Sequence, residues 1–478
     1  MQSWIANNKQ LLLLILVVGI IRSILFPFSQ IIDADAVTRT FLSQEWMENP
    51  HWIMSGTWLP LHYYMNAVAL WVWNDPSFTP SLLNSLLALF MIFPFYKLID
   101  REFSKEGALM ITAIFALSPI LFRNQFMGLS ETPYLFLLVH AMNYLSIGLR
   151  ANKNNAIILA GLLLTFAAGI RYEAWLIILI TTFYLFIKHF KKAILFGLLA
   201  GIFPLLWLLT NYISTGSPFT SLEGNHHWTL DVMNNNAHVD TETYLRRIWF
   251  FPFSLMIAIG PIATVNAVRN WIARIQKPRF NNIRYLFALL FLFFLIFFIY
   301  NSVKGTLLLQ HRFIGTLVLF FLPFASYCMT SRKPLRIALH LLLIVGLSFI
   351  YNVDNISPLP RLKDQKFAHL VETIPPDTDY LILDFYGWDY TYYWAVESGI
   401  PYQNIIIVEG AENSPDRLNE IEKLLETKDN VSCIVKDESP VDQFIHDHYV
   451  AQILDRCGDV TVKKIASSPR LPFINITK

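Results

Sequence analysis

Residues 11–28 read Leu11-Leu12-Leu13-Leu14-Ile15-Leu16-Val17-Val18-Gly19-Ile20-Ile21-Arg22-Ser23-Ile24-Leu25-Phe26-Pro27-Phe28, with Arg22 the one charge in the run. A helix of this length reaches about 27 Å, close to the roughly 30 Å of a bilayer's hydrocarbon core. No small-residue cleavage site follows, so the run reads as a retained membrane helix and not as a signal peptide. Comparable apolar runs recur at 80–97, 107–122, 130–149, 156–170, 173–188, 193–212, 250–268, 285–301, 312–330 and 336–351. With 9–28 they predict about eleven transmembrane helices. The stretch 59–73 is shorter and holds His62 and Asn66, so it reads as an interfacial or re-entrant piece.

Composition agrees with this reading. Of 478 residues, 54% are hydrophobic and only 15% charged, and the mean hydropathy is +0.43. A soluble domain carries far more charge. A net charge of +2 gives no nucleic-acid signature. Three cysteines exclude a disulfide framework. Cys328 falls in an apolar run, while Cys433 and Cys457 could pair if the tail lies in an oxidising compartment.

Orientation follows from Lys and Arg. Alternate loops carry Lys97, Arg101, Lys105, Arg150, Lys153, Lys188, Lys191, Lys192, Arg269, Arg274, Lys277, Arg279, Arg284, Arg332, Lys333 and Arg336. The opposite loops before residue 352 carry Arg39, Arg123, Arg171, Arg246, Arg247, Lys304 and Arg312. The first set marks the cytoplasmic side, which places the N-terminus inside and, with an odd helix count, the tail outside. The expected fold class is therefore a polytopic α-helical membrane protein with a small C-terminal α/β extracytoplasmic domain. Residues 1–351 would form the transmembrane catalytic domain, with a large first outer loop at 29–79, and residues 352–478 the outer domain. In that tail, strand-like runs at 381–385, 405–408 and 431–435 alternate with a helical pattern at 416–427.

On this threading the unusual polar groups share the outer face. They are Asp33 and Asp35 after the first helix, Trp58-Leu59-Pro60-Leu61-His62, Ser130-Glu131, Arg171-Tyr172-Glu173 and Gln310-His311-Arg312. Ionisable groups at bilayer depth are costly and usually line a functional cavity. Plainer roles stand beside this one. Ser130 can cap a helix whose first turn favours Glu131, Arg171 and Glu173 can simply pair, and Arg312 can anchor at the interface. His226, His227, Asp231 and His238 lack the usual chelating spacing and read as incidental.

Taken in order, these motifs resemble the glycosyltransferase C superfamily, and within it the protein O-mannosyltransferase-like (family 39-type) enzymes that use polyprenyl-phosphate sugars. The resemblance rests on the acidic Asp33-Ala34-Asp35-Ala36 followed by Arg39, on Trp58 to His62, on Ser130-Glu131, on Ile170-Arg171-Tyr172-Glu173-Ala174-Trp175, and on Arg312-Phe313 before Leu322-Pro323. It covers roughly residues 10–330. Ile170 stands where the family has Thr and Phe313 where it has Tyr, and the spaced aspartates leave open which matches the family's principal carboxylate. Spacing to Arg39 favours Asp35.

The resemblance implies an inverting membrane glycosyltransferase. It would move one sugar, most simply a mannose-like hexose, from a polyprenyl-phosphate donor to a lipid, glycan or protein acceptor on the outer face of the plasma or inner membrane. Asp35, or Asp33, would take the acceptor's proton. Arg171, Arg312 and His311 would offset the charge on the departing phosphate. Glu131 would orient the acceptor, tune the base or help hold a metal, and Arg39, Trp58, His62, Tyr172 and Glu173 would complete substrate binding. The Asp-Ala-Asp triplet leaves a divalent metal open, although a lipid monophosphate needs less neutralisation than a nucleotide sugar and no cofactor is required. The alternatives are a lipid-linked glycan flippase or transporter and a glycan ligase.

The threading is tested by cysteine accessibility. Gly224→Cys is expected to react with a membrane-impermeant thiol reagent added outside, and reaction from the cytoplasmic side alone would refute the shared face.

Overall fold

The computed structural model describes residues 2–28, 34–234, 241–276, 282–329, 339–340, 343, 367–384, 386, 388–408 and 414–469. In chain order its helices are α1 (Gln2–Leu25), α2 (Ala34–Glu48), α3 (Leu61–Val72), α4 (Thr79–Glu102), α5 (Lys105–Leu117), α6 (Pro119–Asn124), α7 (Glu131–Arg150), α8 (Asn154–Ala168), α9 (Glu173–Lys188), α10 (Phe190–Ala200), α11 (Ile202–Thr215) and α12 (Thr220–Asn234). Then follow α13 (Thr241–Ile259), α14 (Pro261–Ile275), α15 (Ile283–Lys304), α16 (Gly315–Phe321), α17 (Trp388–Glu397), α18 (Ser414–Thr427) and α19 (Pro440–His448).

One compact unit consists of Met1–Ser29, His51–His62 and Leu82–Leu359. Its helices show apolar residues on both faces, as a chain solvated by lipid should. On α1, Leu13, Leu16, Ile20 and Ile24 are exposed, while Leu11, Val18 and Arg22 are buried. On α9, Leu179, Phe183 and Phe186 are exposed. Stripes of this size on a water-facing surface would aggregate, whereas helices satisfy their own backbone groups and can present such side chains to hydrocarbon. The inner face packs closely. Phe95 stacks on Phe115 with ring centroids 4.1 Å apart, and α5 meets the 3-10 segment Leu322–Tyr327 at Gly107, where a β-carbon would lie 2.0 Å from the Ser326 carbonyl oxygen.

Unbroken helices coincide, within a few residues, with the expected spans at 9–28, 80–97, 130–149, 156–170, 173–188 and 285–301. Four others do not run through, and proline explains each break. Pro119 pushes Ser118 to an extended ψ of 124° and ends α5. Pro204 has no N–H for the Ala200 carbonyl, and α10 and α11 meet at a 42° bend. Gly260 takes φ +81° ahead of Pro261, turning α14 by 112° from α13. Pro323 closes α16 after seven residues and leaves a 3-10 turn. The span expected at 336–351 lies almost wholly outside the described residues. Among the described residues three helices are long and apolar enough to cross a membrane by length and composition, or up to five if each bent pair is one span. The outer loop expected at 213–249 contains α12 and the start of α13, and α3, at twelve residues, spans only about 18 Å.

A second compact unit consists of Gln30–Pro50, Tyr63–Ser81 and Pro360–Lys478. Of the loop expected at 29–79, residues 30–50 and 63–79 fall in this unit and residues 51–62 in the first. The tail forms one five-stranded sheet from β1 (Tyr380–Asp384), β2 (Ile405–Val408), β3 (Val431–Lys436), β4 (Tyr449–Cys457) and β5 (Val460–Pro469), in the order β2-β1-β3-β5-β4. The first three strands are parallel, with Leu381 opposite Ile405 and Tyr380 opposite Val431. The central β3 is buried for five consecutive residues, as a strand covered on both faces must be. Its core includes Ile382, Val408, Ile421, Leu425, Val435 and Ile445. Ser439 caps α19 by accepting from the Asp442 N–H, and Gly458, at φ +64°, turns β4 into β5.

The sheet also excludes a Cys433–Cys457 disulfide. Cys433 lies on β3 opposite Lys463, and Cys457 lies at the far end of β4 opposite Val460. Two strand spacings separate β3 from β4, roughly 9.5 Å, which exceeds disulfide reach. Burial pushes the Cys433 thiol up to about 12.

The approach at Gly107 generates a stability test. Gly107→Ala should destabilise the detergent-solubilised protein by about 1–3 kcal/mol, read as a lower thermal midpoint. Gly224→Ala, inside α12 where nothing lies within 4 Å of a new β-carbon, should not lower it.

Candidate active site

Glu131 opens α7 and is almost buried. Its Oε1 lies 2.6 Å from Arg171 Nη1 and 3.5 Å from Arg312 Nε. Two arginines 141 positions apart in the chain therefore converge on a single carboxylate oxygen. Arg171 also donates from Nη2 to Glu173 Oε1 at 2.7 Å and from Nε to both Glu173 oxygens at 3.1 Å. The side chains of Arg171, Glu131 and Glu173 are only 14%, 10% and 17% exposed, so each charge must be matched by a partner. The pairing expected between Arg171 and Glu173 is present, and Glu131 and Arg312 extend it to two cations and two carboxylates.

Local structure places each group. The chain turns between α8 and α9 at Gly169, where a β-carbon would lie 2.0 Å from Leu61 Cδ1, and the Leu61 N–H donates to the Gly169 carbonyl at 3.0 Å. The Trp58 to His62 element is thereby fastened to the turn that presents Arg171. Within it Trp58 is half-buried and His62 fully buried. Tyr172 sets its ring edge-on to Trp175 at 5.2 Å, and Trp175 Nε1 donates to the Ala168 carbonyl at 2.9 Å. Arg312 lies in the 3-10 turn His311–Ile314. Its carbonyl accepts from Asn124 Nδ2 at 3.2 Å, and its Nε donates to Gln310 Oε1 at 2.8 Å. The Phe313 ring faces both guanidinium carbons, Arg171 at 5.1 Å and Arg312 at 5.5 Å, adding cation–π attraction.

Several expectations change. Ser130 does not cap α7: its backbone is helical and its side chain makes no cap bond, because Oγ accepts from Arg171 Nη1 at 3.3 Å instead. His311 Nδ1 lies 2.7 Å from Ser254 Oγ, and its ring stacks on Phe250 at 4.5 Å, both partners being on α13. Arg171 and Arg312, both expected to offset the phosphate's charge, meet in one cluster through Glu131. Glu131 Oε2 is buried with no hydrogen-bond partner among the described residues, an oxygen still able to accept a hydroxyl.

Asp35 and Arg39 lie on α2, in the second unit. Asp35 stands half-buried in the first turn, where the helix dipole favours its anion. One turn on, Arg39 is buried with its guanidinium 5.8 Å from the Tyr63 ring. Asp33 lies outside the described residues, as does His238. Among the described residues no three His, Cys, Asp or Glu side chains gather with metal-ligand geometry.

The shared carboxylates carry a stability prediction. Arg171→Ala leaves Glu131 and Glu173 without their main counter-charge and should cost about 3–5 kcal/mol, measured by thermal unfolding in detergent. Glu131→Gln should cost less, because Glu173 still pairs with Arg171.

Residues 57–211 match the family described as dolichyl-phosphate-mannose-protein mannosyltransferase. No curated protein sequence matches the chain. Among solved structures, the fold is similar to ArnT from Cupriavidus metallidurans bound to undecaprenyl phosphate, with a TM-score of 0.66 and 11% identity over 96% of this chain and 98% of that one. It is similar also to the Archaeoglobus fulgidus oligosaccharyltransferase in complex with Zn and sulfate, with a TM-score of 0.53 and 12% identity over 95% and 73%. A third likeness is to the arabinofuranosyltransferase AftD from Mycobacteria, with a TM-score of 0.51 and 11% identity over 95% and 40%. The likeness to these structures is one of fold, and residues 57–211, about a third of the chain, carry the sequence match to that family.

Proposed function

We propose that the protein transfers a single mannose-like hexose, with inversion, from a polyprenyl-phosphate donor to a lipid, glycan or protein acceptor on the outer face of the membrane. The observation that carries the reading is the convergence of Arg171 and Arg312 on Glu131 Oε1. The match to dolichyl-phosphate-mannose enzymes and the undecaprenyl phosphate bound by the similar ArnT support the donor class.

The acceptor hydroxyl oxygen bonds to the anomeric carbon as the bond from that carbon to the phosphate oxygen breaks. The leaving polyprenyl phosphate keeps the electron pair, and the hydroxyl proton passes to the Asp35 carboxylate. Arg312 offsets the phosphate's growing charge. Arg171, committed to two carboxylates, fixes Glu131 in place. Glu131 Oε2 then accepts a hydrogen bond from a hydroxyl of the sugar or acceptor, and Trp58 and His62 complete the binding site. The N-terminus lies in the cytoplasm and the C-terminal domain outside.

Purified protein in liposomes with radiolabelled polyprenyl-phosphate mannose tests the reading. Label should move to an acceptor, whereas label that only crosses the bilayer would show a flippase. Asp35→Asn should lower turnover by about 10²–10⁴-fold while donor binding persists, with Asp33→Asn milder. Arg312→Ala should lose about 10²–10³-fold. Arg312→Lys, which keeps the charge without the two-pronged geometry, should retain measurable activity.

A further inference from the structure

The tail has no role in the reaction as described, yet α2, the helix that carries Asp35, is packed into the same compact unit as the tail. The contacts lie along one face of α2. Phe41 sets its ring edge-on to Tyr402 at 4.8 Å and to Tyr392, on α17, at 5.4 Å. One turn further on stands Glu45, whose charge acts on the Tyr402 phenol. Burial, with Glu45 and Glu48 adding, pushes that phenol up to about 12, so its proton stays in place at neutral pH. On another face of α2, Trp46 packs on Tyr64 at 4.6 Å and Trp71 at 5.8 Å. Ser77 Oγ then donates to Glu397 Oε1, at the end of α17, at 2.6 Å.

A fifteen-residue helix is marginal alone, so its direction comes from what it packs against. Asp35 stands six residues before Phe41, about 9 Å along the axis. A small tilt about the Phe41 contact therefore displaces the carboxylate by a large fraction of an ångström or more. Displacement of about 1 Å in a reacting group costs roughly 10²-fold in rate.

We propose that the C-terminal domain is a positioning element for the proton acceptor, with Phe41, Tyr392 and Tyr402 as positioning residues that aim the Asp35 helix. This rests on the reading of Asp35 as the base. The domain's task is then to hold a catalytic helix of the N-terminal region, and the substrate need not touch it.

The test uses the full-length enzyme in liposomes with radiolabelled polyprenyl-phosphate mannose, with kcat read per donor-binding site so that any unfolded fraction drops out. Phe41→Ala and Tyr402→Ala are each expected to lower kcat by about 10²-fold with the donor KM within twofold. The double variant should be hardly worse than either alone, since both remove one contact. Tyr402→Phe, which keeps the ring, should recover most of the rate. Phe41→Leu should show the same split at smaller size, which covers the case in which Phe41→Ala yields little folded protein. Ile453→Ala, on an exposed position of β4, should behave as wild type. The proposal is overturned if Phe41→Ala and Tyr402→Ala leave kcat per site within twofold of wild type, or if they raise KM alone. Asp35→Asn is measured in parallel: wild-type turnover there refutes the base assignment, whereas loss there with no effect at Phe41 or Tyr402 refutes only the positioning role.

Discussion

A guanidinium shielded from water must be answered by negative charge, and Arg171 is answered twice, by Glu131 and Glu173. That requirement organises the membrane unit around the turn between α8 and α9. Glu131 must stand at the start of α7, Glu173 at the start of α9, and the 3-10 turn holding Arg312 must close on the same oxygen. Three segments distant in sequence are thus registered against one another by charge, while apolar contacts such as Phe95 on Phe115 supply the bulk of the packing. The cluster is neutral as a whole, which lets it persist at low exposure without a counter-ion from solvent.

The fold was legible where a local pattern carries it. Apolar runs marked α1, α4, α7, α8, α9 and α15, and Val/Ile-rich stretches marked β1, β2 and β3. Breaks were less legible, because hydropathy outweighs a single residue in a long window, although Pro119, Pro204, Pro261 and Pro323 were all in plain view. The β4–β5 hairpin had its own signal in Gly458-Asp459 between two runs of strand-forming residues, one of them Val460-Thr461-Val462. The region 34–48 read as loop because its acids and polar residues hide a helix whose buried side is formed by contacts with Tyr392 and Tyr402, some 350 residues away.

The site divides in the same way. Arg171 and Glu173 are two residues apart across a turn, so their pairing can be guessed locally. The joining of Arg312 to Glu131 cannot, since no periodicity links positions separated by 181 residues. Ser130 shows the limit of local rules: a serine before a glutamate at a helix start has a capping signature, yet a nearby charged donor captures its oxygen first. The proposed base and the proposed leaving-group cation also belong to different compact units, and only the fold shows that residues 360–478 complete the unit carrying Asp35.

Gly169 and Leu61 illustrate how such a molecule can vary. The leucine methyl occupies the space that any side chain at 169 would need, and the two backbones are joined by a hydrogen bond at the same place. The pair therefore behaves as a single locus split between two motifs. A larger residue at 169 requires the Leu61 side chain to give way and presses on the Phe203 ring as well, so the identity of residue 61 conditions what position 169 can hold. Either change made alone disturbs the Trp58 to His62 segment and the presentation of Arg171 together.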